Sequence, residues 1–326
     1  MQNIYKYLFL LIFLFSMAFA PAHAQSAADY PARPIRVLVP YPPGGGTDII
    51  ARAVTLKLSA HLKQQLVIDN RGGGGGNVAH ELAARAAPDG YTLMVAISAL
   101  LTNAAINPRP TYDPLRDFTP LMLIARSPYR VVAFPGLPAK SMQEFVALAK
   151  AKPGAMSYGS AGAGSAIHLA VELFRMQTGI SMVHVPYKGT GPAITDLIAG
   201  QIQIMFAGTL SAAPHVKSGR VRALGITSLK RRADSPDLPT LAETVAPGYE
   251  AGEWFAVFAP AGLPKPLIER LHGDLAKTIN DAELRERLAA GGMDVIGGAP
   301  AELAALVKRD YAKWSRLIKE TGLKAD

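Results

Sequence analysis

Cysteine is absent from this 326-residue chain. That removes disulfides, thiolate metal sites, covalent haem attachment, thiol nucleophiles and the lipid-acceptor cysteine of a bacterial lipoprotein. The phosphate-cradling Gly-x-x-x-x-Gly-Lys-Ser/Thr is also missing, and neither Ser160 nor Ser165 has the flanking glycines of a nucleophile elbow. His80-Glu81 begins like a zinc-protease helix, but Ala84 stands where the second histidine belongs. His61, His168, His184, His215 and His272 have no close metal spacing, so no metal is expected. The single basic triplet, Lys230-Arg231-Arg232, reads as a solvated loop rather than a nucleic-acid patch. What is present is an ordinary globular balance, 49% apolar and 18% charged, in a chain long enough for two domains. With 34 Lys+Arg against 25 Asp+Glu the formal charge is +9, which favours anionic ligands.

Lys6 precedes an apolar run from Tyr7 to Ala20, which as helix would span only about 21 Å against the ~30 Å hydrocarbon core. Pro21 and the small-x-small triplet Ala22-His23-Ala24 follow, so residues 1–24 read as a signal peptide cleaved after Ala24. The remaining chain has no run of membrane-spanning length and is expected to be a soluble periplasmic protein. ATP and nicotinamide cofactors are cytoplasmic, and no cofactor is expected.

Strands and helices then alternate. Ile35 to Val39, Leu66 to Ile68 and Tyr91 to Ile97 read as strands, with helices from Thr47 or Asp48 to Leu62 and from Gly76 to Ala87 between them. A polar turn is expected around Ser98 to Asn107, then strands at Phe118 to Ala125 and Arg130 to Phe134. A second set follows, with strands at 156–158, 182–185, 202–206, 221–227 and 255–259 and helices at 141–150, 166–178 and 192–199. The tail is helical over 267–279, 282–290 and 300–319. Strand, glycine-rich loop, helix, strand is the layout of βαβ units with both sheet faces covered. The C-terminal helices lack strands of their own, so they are expected to fold back on the first unit. This places lobe 1 at 31–125 plus 259–326 and lobe 2 at 126–258, with two hinge crossings between them.

In such sheets ligands sit beyond the carboxyl ends of the strands, where helix N-termini offer free N–H groups to a carboxylate or phosphate. Four loops fit: Tyr41 to Asp48, Asn70 to Gly76, Gly159 to Ser165, and Tyr187 to Gly191. In the first, Tyr41, Pro42, Gly44, Gly45, Gly46, Thr47 and Asp48 are candidate ligand-binding residues. The five-glycine run of the second suits a lid or a simple connector. Ser160, Gly164, Ser165 and His168 are candidates from the third, and Lys188 and Gly189 from the fourth. Ser98 and Thr102 join them after the third strand. The hydroxyls of Ser160 and Ser165 can donate to a ligand or merely cap the helix. No residue is assigned a catalytic role. A hydrolase or isomerase using Asp48 or His168 as base is the alternative from another class.

Several motifs occur in order: Val39-Pro40-Tyr41-Pro42-Pro43-Gly44-Gly45-Gly46-Thr47-Asp48, Asn70-Arg71, Ala87-Pro88-Asp89-Gly90-Tyr91-Thr92, Tyr158-Gly159-Ser160-Ala161-Gly162, Val185-Pro186-Tyr187-Lys188-Gly189 and Phe258-Ala259-Pro260-Ala261-Gly262. With them the chain resembles, over essentially its whole mature length, the Bug family, the TctC-like solute receptors of tripartite tricarboxylate transporters. The resemblance implies a two-lobed α/β periplasmic binding protein of the type II, Venus-flytrap kind, with parallel-rich sheets. It implies capture of a small organic acid between the lobes and delivery to integral-membrane permease subunits, one large and one small, by a monomer. It also implies that the loop after Val39 holds one carboxylate, partly through waters. A signalling subunit that reports ligand to a sensor is the alternative output. One departure stands out: many relatives carry an acid after the strand ending Met205-Phe206, where this chain has Ala207-Gly208. A carboxylate there could pair with a ligand ammonium, so its loss disfavours an amino-acid ligand.

Overall fold

A computed structural model describes residues 30–323; the signal peptide and its cleavage site lie outside the described residues. Ten strands are present among them: β1 (Ile35–Val39), β2 (Leu66–Asn70), β3 (Thr92–Ile97), β4 (Phe118–Ala133), β5 (Ser157–Ser160), β6 (Val183–Pro186), β7 (Ile204–Gly208), β8 (Arg222–Ile226), β9 (Gly252–Pro260) and β10 (Asp294–Gly298). The helices are α1 (Gly46–Leu62), α2 (Asn77–Ala84), α3 (Ala99–Ile106), α4 (Met142–Ala151), α5 (Ala166–Thr178), α6 (Thr190–Ile198), α7 (Thr209–Lys217), the single turn α8 (Leu241–Thr244), α9 (Lys265–Ile279), α10 (Ala282–Ala290) and α11 (Pro300–Thr321).

The strands run in the order β2-β1-β3-β9-β4-β7-β5-β6, with β8 and β10 also paired to β4. Pairing is parallel at both outer ends, β1 with β2 and β3, and β5 with β6 and β7. It is antiparallel through the middle, where β9 and β4 lie. Strand β4 belongs to both halves: its first part pairs with β9 from Phe118 to Pro128, and its last part, from Tyr129 to Ala133, pairs with β7 and β8. The expected pair of strands at 118–125 and 130–134 is therefore one strand. Proline has no N–H to give a ladder, which suits Pro128 to the point where pairing changes sides. Next to it Tyr129 N donates to Thr227 Oγ1 at 2.7 Å, and Thr227 Oγ1 donates to Ala251 O at 2.6 Å. These bonds tie the two crossings together. Gly252 lets them meet, since a Cβ there would stand 2.7 Å from Ser127 O.

The polar turn expected over 98–107 is instead α3. Its Thr102 and Asn103 are buried along with Leu100, Leu101 and Ala104, and the helix packs between β3 and α11. Thr102 Oγ1 donates back to Ala99 O at 3.5 Å, so the hydroxyl serves the helix itself. Apolar positions at helical spacing drive the C-terminal helices onto the first half. Leu267, Leu271, Leu275 and Ile279 bury one face of α9, and α9 lies against α1. Leu303, Leu306, Val307, Trp314, Leu317 and Ile318 of α11 cover a cluster with Leu100, Trp254 and Phe258. The result places the carboxyl ends of β1, β5, β6 and β7 around one crevice.

Candidate functional site

Strand β1 ends at Val39, and the chain turns through Pro40, Pro42, Pro43, Gly44 and Gly45 into α1. Gly45 is the N-cap of α1 and supplies no side-chain cap, so the N–H groups of the first turn from Gly46 onward are left without an intrahelical acceptor. Tyr41, Pro42, Gly45, Gly46 and Thr47 line the crevice. On the facing side Ser165, Ala166 and Ile167 open α5, and Gly189, Thr190, Gly191 and Pro192 open α6. Ser211, in the first turn of α7, also reaches the crevice. Helices α6 and α7 likewise have glycine N-caps without a side-chain bond. Four helix N-termini from both halves thus meet in one place, each with partial positive charge. Among the described residues no Lys, Arg or His lines the crevice.

Several expected residues brace this arrangement rather than line it. The Asp48 carboxyl is buried and accepts from Gly44 N (2.9 Å), Asn70 Nδ2 (3.0 Å) and Arg52 Nε (2.9 Å). Burial alone would raise its pKa, but the hydrogen bonds from Arg52, Gly44 and Asn70 outweigh it and hold the carboxyl below its usual range. Asp48 is therefore an ionised clasp on its own loop, and the Gly44 N–H is committed to it instead of to a ligand.

Ser160 and His168 form a second brace. Ser160 Oγ accepts from Gly162 N at 3.1 Å and contacts His184 Nε2 at 2.6 Å. Gly164 N donates to His168 Nδ1 at 3.1 Å, and the His168 and His184 rings stack at 4.0 Å with planes 7° apart. Tyr158 extends the stack and donates its hydroxyl to Glu172. The base reading of His168 meets a ring already held on one nitrogen and stacked on His184. Ser165 combines two settings: its Oγ accepts from His168 N at 3.3 Å as the cap of α5, and the residue fronts the crevice.

Three further candidates fall elsewhere. Lys188 is exposed outside the crevice, so the expected cation is not in the lining. Ser98 is buried at the back, with an unpartnered Oγ. Ala207 is fully buried in β7 opposite Arg130. The loop at 70–76 is tied to the first loop and to α3 rather than left as a free connector. Gly75 O accepts from Tyr41 Oη and Asn103 Nδ2, both at 2.8 Å, and holds the first loop in place.

Two residues that sequence reasoning passed over complete the floor. Tyr129 lines the crevice and its hydroxyl is buried. Glu253, at the start of β9, lines it too, and its Oε1 lies 2.5 Å from where a Cβ on Gly208 would sit. An acid thus reaches the end of β7 from another strand, β9. Burial pushes the Glu253 carboxyl up to about 8. The available signal was a single acid inside the apolar run Trp254 to Pro260 and its approach, Gly252-Glu253.

Residues 50–323 match the model of the tripartite tricarboxylate transporter family receptor, TctC. Protein BugT of Bordetella pertussis is 35% identical over 301 residues, which cover 92% of each chain. An R. palustris protein solved with adipate is 34% identical with a TM-score of 0.88, and covers 91% of this chain and 100% of its own. MatC from Rhodopseudomonas palustris, solved with bound malate, is 32% identical with a TM-score of 0.85, covering 89% and 100%. The chain belongs to the TctC family of tripartite tricarboxylate transporter receptors, the Bug proteins, and is a two-lobed periplasmic solute-binding protein.

Proposed function

We propose that this receptor captures a small organic acid in the crevice by main-chain N–H groups of Gly46 and Thr47 on one side and of α5, α6 and α7 on the other. The observation that carries the reading is the meeting of four helix N-termini in a crevice with no cationic side chain. N–H groups fixed at helix starts bind a carboxylate with short charge-assisted bonds, and exclusion of water strengthens each one. The hydroxyls of Thr47, Ser165 and Thr190 supply further donors. Relatives solved with adipate and malate support dicarboxylates as the first ligands to try.

Closure is a hinge motion about the paired crossings near Ser127 and Gly252, with lobe 1 taken as 31–125 plus 259–326 and lobe 2 as 126–258. A ligand shifts this equilibrium only through contacts that the closed state has and the open state lacks, so donors from both lobes are needed. The mature monomer begins at Gln25 after export and hands its ligand to the large and small permease subunits. Asp48 and His168, the bases an enzymatic reading would need, are engaged in bracing loops, which supports binding without chemistry.

Titration calorimetry of the mature chain with adipate and with malate tests the reading. Binding by wild type should weaken by about 1–2 kcal/mol in Ser165→Ala if its hydroxyl donates to the carboxylate. Unchanged affinity with an intact fold would leave Ser165 as the cap of α5 alone.

A further inference from the structure

Glu253 is a carboxyl placed where an acid-binding receptor should least want one. It lines the same crevice as the four helix N-termini, is 9% exposed, and faces Gly208 so closely that any side chain there would displace it. If ionised, it would stand as a second anion beside the bound acid, with no cationic side chain in the lining to offset either charge. In front of it lie Tyr41 and Tyr129, both hydroxyls that burial keeps protonated, and the Ser211 hydroxyl on α7. Behind it, a wider recess carries Arg126 on β4 and Arg232 in the loop after β8. Glu250 ahead of β9, Asp294 on β10, and Arg309, Asp310 and Lys313 on α11 complete that recess. Arg232 is paired with Asp294, Arg309 with Asp310, and the Lys313 ammonium sits over Trp314. None of these charges offsets the burial that pushes the carboxyl's pKa up.

We propose that Glu253 holds the ligand as a protonated acid, its carboxyl O–H donating to an oxygen of the bound carboxylate, so that capture of the organic acid is linked to a proton. This rests on the carboxylate reading of the crevice. The balance is simple. Below the titration of the carboxyl the proton is already in place and the ligand binds as it is. Above it, Glu253 carboxylate, one proton and the ligand carboxylate combine into a hydrogen-bonded pair with one negative charge instead of two. Two carboxyls in a dry site cannot both ionise without a large repulsion, and sharing one proton removes it. Gly208 is part of the device, since only glycine leaves room for the carboxyl against the end of β7.

The test has two arms on the mature chain. In the first, infrared difference spectra of ligand-free protein between pH 6 and pH 9 are compared with those of Glu253→Gln, which keeps the size of the side chain and its neutrality. A protonated-carboxyl band present at pH 6, lost by pH 9 and missing in the variant is expected; its absence at pH 6 in wild type would overturn the proposal. In the second, adipate, malate, succinate and aspartate are titrated at the same two pH values. Wild type should bind the preferred dicarboxylate about tenfold more weakly at pH 9 than at pH 6, because only the protonated fraction binds, whereas Glu253→Gln should be flat. Equal affinity at both pH values in wild type would overturn the proposal. So would aspartate binding more tightly than succinate and improving with pH, since Glu253 would then act as an anion for an ammonium. Failure of every acid to bind while the infrared band is present would instead count against the carboxylate reading itself.

Discussion

A Cβ on Gly162 would lie 3.3 Å from the Cα of Gly75, so these two glycines, from loops on opposite sides of the crevice, touch backbone to backbone. Nearby, a Cβ on Gly189 would stand 3.3 Å from Pro42 Cδ, and one on Gly46 would stand 3.2 Å from Ser211 Oγ. The glycine-rich tips therefore let backbone from the two halves come into direct contact. Gly162 has φ +128° and Gly154, far from the crevice, has φ +73° with open space around its Cβ position.

Gly162→Ala should therefore lower affinity by tenfold or more while Gly154→Ala should not. Both variants carry the strain of a positive φ, about 1 kcal/mol or more, and both should melt earlier. Only Gly162→Ala places a methyl between the closing loops. Calorimetry with adipate, alongside thermal melting, separates the two effects. Equal loss of affinity in both would mean that the contact at Gly75 is incidental.

Asp48→Ala should destabilise the fold by about 2 kcal/mol at pH 7, because it removes the one acceptor that the Gly44 N–H, the Asn70 amide and the Arg52 guanidinium share. The native carboxyl ionises more readily than in the unfolded chain. Its contribution is thus complete above the ordinary carboxylate range and disappears as pH falls through the lowered native value. Urea denaturation of wild type and variant should show a gap at pH 7 that narrows toward pH 2. A gap independent of pH would mean that the clasp is not ionic.

Glu253 should act in the opposite sense. Its native pKa is raised from 4.5 to about 8, so between those values the unfolded chain has released a proton that the folded chain still holds. Stability is fully retained below about pH 4.5 and declines toward pH 8, by on the order of 5 kcal/mol in the limit of complete burial. Glu253→Gln should remove that decline, making the variant relatively more stable at pH 8.5 than at pH 5. An unchanged difference between variant and wild type at the two pH values would mean that the carboxyl is ionised and solvated.

Much of this architecture was legible in the chain. The runs Ile35 to Val39 and Tyr91 to Ile97 give buried strands, parallel to each other, by hydrophobic pattern alone. The loops at 41–48, 159–165 and 187–191 do gather at one crevice. Helix α3 was hidden because Ser98, Thr102, Asn103 and Asn107 interrupt its apolar pattern. Its polar residues are buried through tertiary contacts that no local window contains, such as Asn103 to Gly75 O. Strand β10 escaped for a similar reason: Asp294-Val295-Ile296-Gly297-Gly298 has little strand character and is paired by β4. At the site, sequence identified residue types suited to a carboxylate but could not tell lining from bracing. Asp48, Ser160 and His168 are the right chemistry turned inward on their own loops. Glu253 and Tyr129 come from the middle strands, and only the pairing of β4 with β7 and β9 brings them to the crevice.

A crystal structure of the mature chain grown with adipate or malate tests most directly whether helix N-termini from both lobes hold the carboxylate of a small acid. A carboxylate is expected within hydrogen-bond distance, directly or through one water, of Gly46 or Thr47 N on one side, with Ser165 or Thr190 closing on the ligand from the other. An acid bound on an outer face, or held in the crevice by contacts from one lobe alone, would contradict it.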